Sequence, residues 1–210
     1  MRRFRPEVEP CETRVCPTLV FIFPGNALAA ASPGLQTQTA ADRLIRDGEQ
    51  PIQVSTPALD GPAAFYRIAD YVRTVSQGQP IGLMGFSAGG ALAMRLAGQP
   101  GLNVQAVMNY YGPPDLDAWI ASHGDDYYYR YVASHVHLTS AVENLLSGPS
   151  TSSAYFVGAF GLDDQNVIAS VSVASFQRDF QQGHIYLYPG PHGVTLYADY
   201  AAYQDFLDHL

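Results

Sequence analysis

Along this chain, short continuous apolar runs alternate with longer stretches in which apolar positions recur three or four residues apart. The run over 18–23, TLVFIF, is continuous rather than alternating, as expected of a parallel strand covered on both faces. A loop rich in Gly and Ala follows, and then helical periodicity over 35–47 that Gly48 ends. The cycle repeats with a strand over 51–56 and a helix carrying Ala63, Tyr66, Ala69, Val72 and Val75 on one face, up to Gly78. A strand over 81–85, a helix over 89–97 and a strand over 104–110 come next. The range 116–146 is less regular. Strands over 153–159 and 184–188 flank a helix over 166–180, and an amphipathic helix over 195–210 closes the pattern. Six strands alternating with helices predict an α/β fold with a mostly parallel central sheet, right-handed crossovers and helices on both faces. A single domain over 1–210 is expected, with a loose N-terminal segment over 1–16.

In open sheets of this kind, ligands bind beyond the carboxyl ends of the strands. The chemically capable residues obey that rule: Pro24-Gly25-Asn26, Ser87, Asp163-Asp164 and His192 each follow a predicted strand. The sharpest pattern is Gly85-Phe86-Ser87-Ala88-Gly89-Gly90. A serine hydroxyl attacks a carbonyl only if a base takes its proton and the side chain stands clear of the backbone. A strand turning sharply into a helix achieves the second condition, with small residues on either side of the apex. In that geometry the backbone N–H of Ala88 would point at the oxygen of a bound acyl group, aided by the helix N-terminus.

The base must come from elsewhere, and six histidines compete: His123, His135, His137, His184, His192 and His209. His184 opens a strand and His209 ends the last helix, so both read as surface residues. His192 lies in Tyr188-Pro189-Gly190-Pro191-His192-Gly193, a loop stiffened by Pro directly after the last strand. It is the favoured base. Asp163 and Asp164 follow the penultimate strand, and either suits the group that orients the imidazole, the other being available as a helix cap. With Asp164 in that role the chain order is Ser, Asp, His.

These motifs resemble those of α/β-hydrolases, and more narrowly the dienelactone hydrolase group. GFSAGG is similar to that group's nucleophile turn, although its best-known members carry cysteine where this chain has Ser87. YPGPHGV resembles its Tyr-Pro-Gly…His-Gly-Phe stretch, one residue shorter and with Val194 in place of phenylalanine. GLDDQNV resembles the Gly-x-x-Asp-x-x-Val pattern of α/β-hydrolases, which favours Asp164 over Asp163. Where many relatives have His-Gly after the first central strand, this chain has Pro24-Gly25-Asn26. The resemblance implies that a second oxyanion N–H comes from Asn26, with Ala27 as the fallback.

Composition narrows the substrate rather than the fold. The chain is 47% hydrophobic and only 14% charged, which excludes intrinsic disorder. Its formal charge of −8 and complete lack of lysine make nucleic acid and anionic polymers poor partners. Cys11 and Cys16 allow one bridge or two free thiols, but no zinc site. His135 and His137 with Asp125 and Asp126 lack a convincing third metal ligand, so neither metal nor cofactor is expected. No apolar run reaches the length of a membrane span, and a cytoplasmic location is expected.

The range 113–149 occupies the place of a short lid. Its aromatics, with those at the neighbouring strand ends, suit either an aromatic wall over the pocket or packing of the lid onto the body. Phe86, Tyr110, Trp119 and Tyr128 are the candidates for substrate contact. The expected activity is serine-dependent cleavage of a carboxylic ester, lactone or thioester on a small hydrophobic or aromatic molecule, by a monomer or homodimer. Cyclisation or elimination by the same machinery is the alternative, and a non-catalytic binding module of the same fold is the rival of another class.

Overall fold

The computed structural model describes residues 17–26, 31–124, 140–193 and 199–210. Within these, the strands are β1 (Leu19–Phe23), β2 (Gln50–Gln53), β3 (Pro80–Phe86), β4 (Asn103–Tyr110), β5 (Tyr155–Gly161) and β6 (Gly183–Tyr188). The helices are α1 (Leu35–Arg46), α2 (Pro62–Ser76), α3 (Ala88–Leu96), α4 (Leu116–His123), α5 (Ser140–Leu145), α6 (Ala169–Asp179) and α7 (Tyr200–Leu207). The strands form one sheet in the order β2-β1-β3-β4-β5-β6, and every neighbouring pair is parallel. This is the fold of the α/β-hydrolases.

Parallel strands need covering on both faces, and the core divides accordingly. On one face Phe21, Phe23, Leu83 and Val107 meet Phe65, Ile68 and Val72 of α2, Leu92 and Leu96 of α3 and Phe176 of α6. On the other, Ile22, Met84, Met108 and Val157 meet Ala40 and Leu44 of α1 and Ala202 and Phe206 of α7. The strand order reverses direction between β1 and β3. From there the chain leaves β1 for α1 on one face and β3 for α3 on the other. This divergence opens a crevice at the carboxyl edge of the sheet.

Three helices differ from expectation, α7 among them in running only over Tyr200–Leu207, with Asp199 at its cap position. In α2 the buried face is Ala64, Phe65, Ile68, Ala69, Val72 and Ser76, while Ala63 and Tyr66 are exposed. Two apolar stripes overlap in that sequence, and the one with Phe65 and Ile68 offers more area to bury. α6 begins at Ala169 rather than near residue 166, because the Asp164 carboxylate takes the N–H groups of Asn166 and Val167 into a turn of its own. The irregular range 116–146 contributes α4 and α5. Among the described residues, no helix is long and apolar enough to cross a membrane.

Candidate active site

β3 passes into α3 through a single residue. Ser87 stands at φ 49° and ψ −125°, a conformation that costs free energy in any residue with a side chain. Its surroundings impose it. A Cβ on Gly85 would lie 2.1 Å from the Gly89 carbonyl oxygen, and one on Gly89 would lie 2.3 Å from the Pro24 carbonyl oxygen. Strand, helix and the end of β1 therefore meet at backbone contact, which side chains at these glycines would prevent. The Ser87 N–H donates to the Tyr110 carbonyl oxygen at 2.8 Å, fixing the apex against β4.

The serine Oγ lies 3.0 Å from His192 Nε2, and His192 Nδ1 lies 2.6 Å from Asp164 Oδ2. An ionised carboxylate only accepts, so Nδ1 carries the proton and Nε2 is left to accept from the serine hydroxyl. Asp164 is buried, and its Oδ1 accepts from the N–H groups of Asn166 at 2.8 Å and Val167 at 2.9 Å. The neighbouring carboxylate does different work. Asp163 Oδ2 accepts from the Gly190 N–H at 3.0 Å, and the Asp163 N–H donates to the Gly190 carbonyl at 3.1 Å. With Leu162 N–H on the Tyr188 carbonyl at 2.8 Å, these bonds tie the loop after β5 to the loop after β6. Gly190 turns that second loop at φ 122°, a value only glycine takes readily. Neither aspartate caps α6, whose cap position is Ile168.

Ala88 is the first residue of α3, where a backbone N–H has no acceptor within the helix. Asn26 follows β1 at φ 60°, beside Gly25, where an added Cβ would lie 3.7 Å from Ser87 Cβ. The two candidate oxyanion donors thus lie next to Ser87, Ala88 as its chain neighbour and Asn26 beside Gly25 at the end of β1. Ala27 lies outside the described residues.

The aromatic candidates sit differently from a wall over the pocket. Phe86 and Tyr110 are 0% and 1% exposed and stack on each other, with centroids 5.0 Å apart, on the α1–α7 face of the sheet. With no surface open to solvent, they support the site from below. Trp119 is buried too, and its indole Nε1 donates to the Asn166 carbonyl at 2.6 Å. Tyr128 lies outside the described residues, as do Tyr127, Tyr129, Tyr131, His135, His137, Asp125, Asp126, Cys11 and Cys16.

Two contacts escape inspection of the sequence. Tyr111, at φ 44°, sets its ring edge-on to the His192 imidazole with centroids 4.6 Å apart. Buried Asp199, at the start of α7, accepts from the Tyr110 hydroxyl and from Arg43 Nη1 at 3.0 Å. Burial raises the Asp199 carboxyl above its usual range, against the opposing pull of the Tyr110 hydrogen bond and Arg43. Burial also pushes the Tyr110 phenol well up, and the Asp199 charge adds to it. Nothing in the local sequence marks either contact, since both depend on the juxtaposition of distant elements.

A second buried network closes the ends of the 113–149 range. Asp115 caps α4 by accepting from Ala118 N–H at 2.7 Å, and its other oxygen takes Gly148 N–H at 2.9 Å and Arg178 Nη2 at 2.6 Å. Arg95 of α3 donates to the Pro114 and Gly148 carbonyls and to Asp179 at 3.3 Å. Burial alone would raise the Asp115 carboxyl, but the N–H groups of Gly148 and Ala118, with Arg178 close by, outweigh it and hold it below the usual range.

With this geometry established, the sequence matches the model of the Dienelactone hydrolase family over residues 50–182. The chain belongs to that family. It is an α/β-hydrolase enzyme, a hydrolase of the ester type. The match spans Ser87 and Asp164 and ends before His192. The fold is similar to that of a truncated carbohydrate esterase from gut microbiota, at 19% identity over 94% of this chain and 86% of that one, with a TM-score of 0.67. It is similar to acetyl xylan esterase 1 from Thermoanaerobacterium sp., at 16% identity over 94% and 76%, with a TM-score of 0.68. An esterase from Pyrococcus furiosus aligns at 14% identity over 91% and 81%, with a TM-score of 0.63. At such identities the likeness is one of fold. Among curated proteins no sequence matches the chain.

Proposed function

We propose that this family member cleaves a carboxylic ester, lactone or thioester through an acyl-enzyme formed on Ser87. The observation that carries the reading is the unbroken line from Ser87 Oγ through His192 to Asp164, with spacings of 3.0 and 2.6 Å, standing on a strained strand-to-helix turn. His192 Nε2 takes the hydroxyl proton as Oγ bonds to the substrate carbonyl carbon, and the carbonyl π pair moves onto oxygen. The N–H groups of Ala88 and Asn26 receive that oxyanion. Collapse breaks the bond to the leaving group, which takes the proton from His192. Water then repeats the sequence in reverse and frees the acid and Ser87. Asp164 holds the imidazole in the correct tautomer and stabilises its charged form, remaining ionised itself. The charge of −8 and the absence of lysine favour substrates without strong negative charge.

The test is turnover of p-nitrophenyl esters and of a thioester by the wild type, Ser87→Ala and His192→Ala. Turnover in the wild type that is lost in both variants is expected. Equal turnover in Ser87→Ala would overturn the assignment.

A further inference from the structure

Trp119 was a candidate for substrate contact, yet its polar atom is engaged elsewhere. The indole Nε1 donates at 2.6 Å to the carbonyl of Asn166, the residue whose own N–H binds Asp164 Oδ1 at 2.8 Å. One peptide segment is thus gripped from both sides, by the indole on its carbonyl and by the carboxylate on its N–H. His123, one turn further along α4, places its Nε2 3.4 Å from the Gln165 carbonyl and its Nδ1 2.8 Å from the Trp119 carbonyl.

α4 is itself held in place. Asp115 caps it, and the same carboxylate binds Gly148 N–H and Arg178, while Arg95 grips the carbonyls on both sides of the insertion. The Leu116 N–H donates to the Leu146 carbonyl at 3.1 Å, closing the neck. A helix fixed in this way is a rigid support for whatever its far end touches. It touches the turn that carries Asp164.

The geometry points to Trp119 as a positioning residue for the acid–base pair: through the Asn166 carbonyl it sets the Asp164 turn, and so the aim of the carboxylate at His192. The inference rests on the proposed roles of Ser87, His192 and Asp164. It makes α4 a splint for the catalytic acid, so the lid segment serves the reaction from its inner side. A hydrogen-bonded carboxylate that drifts loses its hold on the imidazole tautomer, and small misplacements of catalytic groups carry large rate penalties.

The test is Trp119→Phe, which keeps a buried ring and removes the donor. Three readouts apply: steady-state kinetics with a p-nitrophenyl ester, the low-field proton resonance of His192 Nδ1–H, and hydrogen exchange at the Asn166 and Val167 amides. The account expects kcat to fall about tenfold with KM changed less than about twofold. It also expects the His192 resonance to shift or broaden, and exchange to quicken at those two amides but not in the core strands. His123→Ala, at a partly exposed position, should give a smaller change of the same kind and keeps the inference open to test if Trp119→Phe folds poorly. An unchanged His192 resonance with unchanged amide protection would overturn the inference, as would a rise in KM alone, which would return Trp119 to substrate contact. Ser87→Ala with undiminished ester turnover would instead remove the proposed reaction, while the resonance and exchange readouts would still decide whether Trp119 holds the Asp164 turn.

Discussion

The turn that carries Ser87 and the turn that carries Asp164 lie on the same edge of one sheet, yet they are held by different means. Around Ser87 the constraint is steric and main-chain: Gly85, Gly89 and the end of β1 touch at distances that leave no room for a Cβ. Around Asp164 the constraint is a set of hydrogen bonds, some within its own turn and some from remote residues. Val167 and Asn166 supply N–H groups, Gly190 and Asp163 join two loops, and Trp119 reaches across from α4. The first kind of restraint is all-or-none, since overlapping backbones cannot yield by degrees. The second is divisible, and each bond removed should cost a part of the whole. A nucleophile whose apex must be strained is suited to the rigid solution, and an acid that only needs aiming can be held by several adjustable ties.

This contrast is sharpened most by Asp164→Asn. The amide keeps the Oδ1 acceptor for the Asn166 and Val167 N–H groups, so the fold should survive, while kcat falls on the order of 10⁴-fold because the imidazole takes the wrong tautomer. Matched melting curves and steady-state rates check both halves. Gly85→Ala should do the opposite, costing about 3 kcal/mol or more of stability through a backbone collision, read as a collapse of Tm or of soluble yield. If Gly85→Ala melts like the wild type, the steric account of the Ser87 turn is wrong.

Smaller effects probe the divisible side. Asp163→Ala breaks one exposed tie between the two loops and should lower kcat only about threefold, with little change in Tm. A loss as large as that of Asp164→Asn would make Asp163 the orienting acid. Asp115→Asn tests the anchoring of α4 through pH. The folded carboxyl lies below its unfolded value, so its contribution is fully present above the ordinary carboxylate range and is lost as pH falls below that range, through the lowered folded value. The variant should therefore be less stable by about 1–2 kcal/mol at pH 7, and the gap to wild type should narrow below about pH 4. A gap that stays constant across that range would contradict the charge-based role.

The same division explains what could be read from the sequence. Gly85, Ser87 and Gly89 lie within five consecutive residues, so the local pattern carries nearly all the information needed to place the nucleophile turn. His192 was legible because a loop rich in Pro and Gly follows the last strand. The parallel sheet with helices on both faces followed from the alternation of elements, whereas the strand order came only with the structure. Trp119 was a candidate of the sequence but not in this role, and the roles of Tyr111 and Asp199 were not legible, because all three arise where elements distant in the chain meet. The late start of α6 was hidden for a related reason: a side chain won the competition for two backbone N–H groups.

The central claim is that Ser87 is a nucleophile activated by His192, and covalent labelling tests it most directly. A fluorophosphonate probe, followed by peptide mapping by mass spectrometry, should place a single adduct on Ser87, with labelling abolished in Ser87→Ala and slowed strongly in His192→Ala. An adduct at another residue, or labelling of Ser87 at the same rate without His192, would contradict the account.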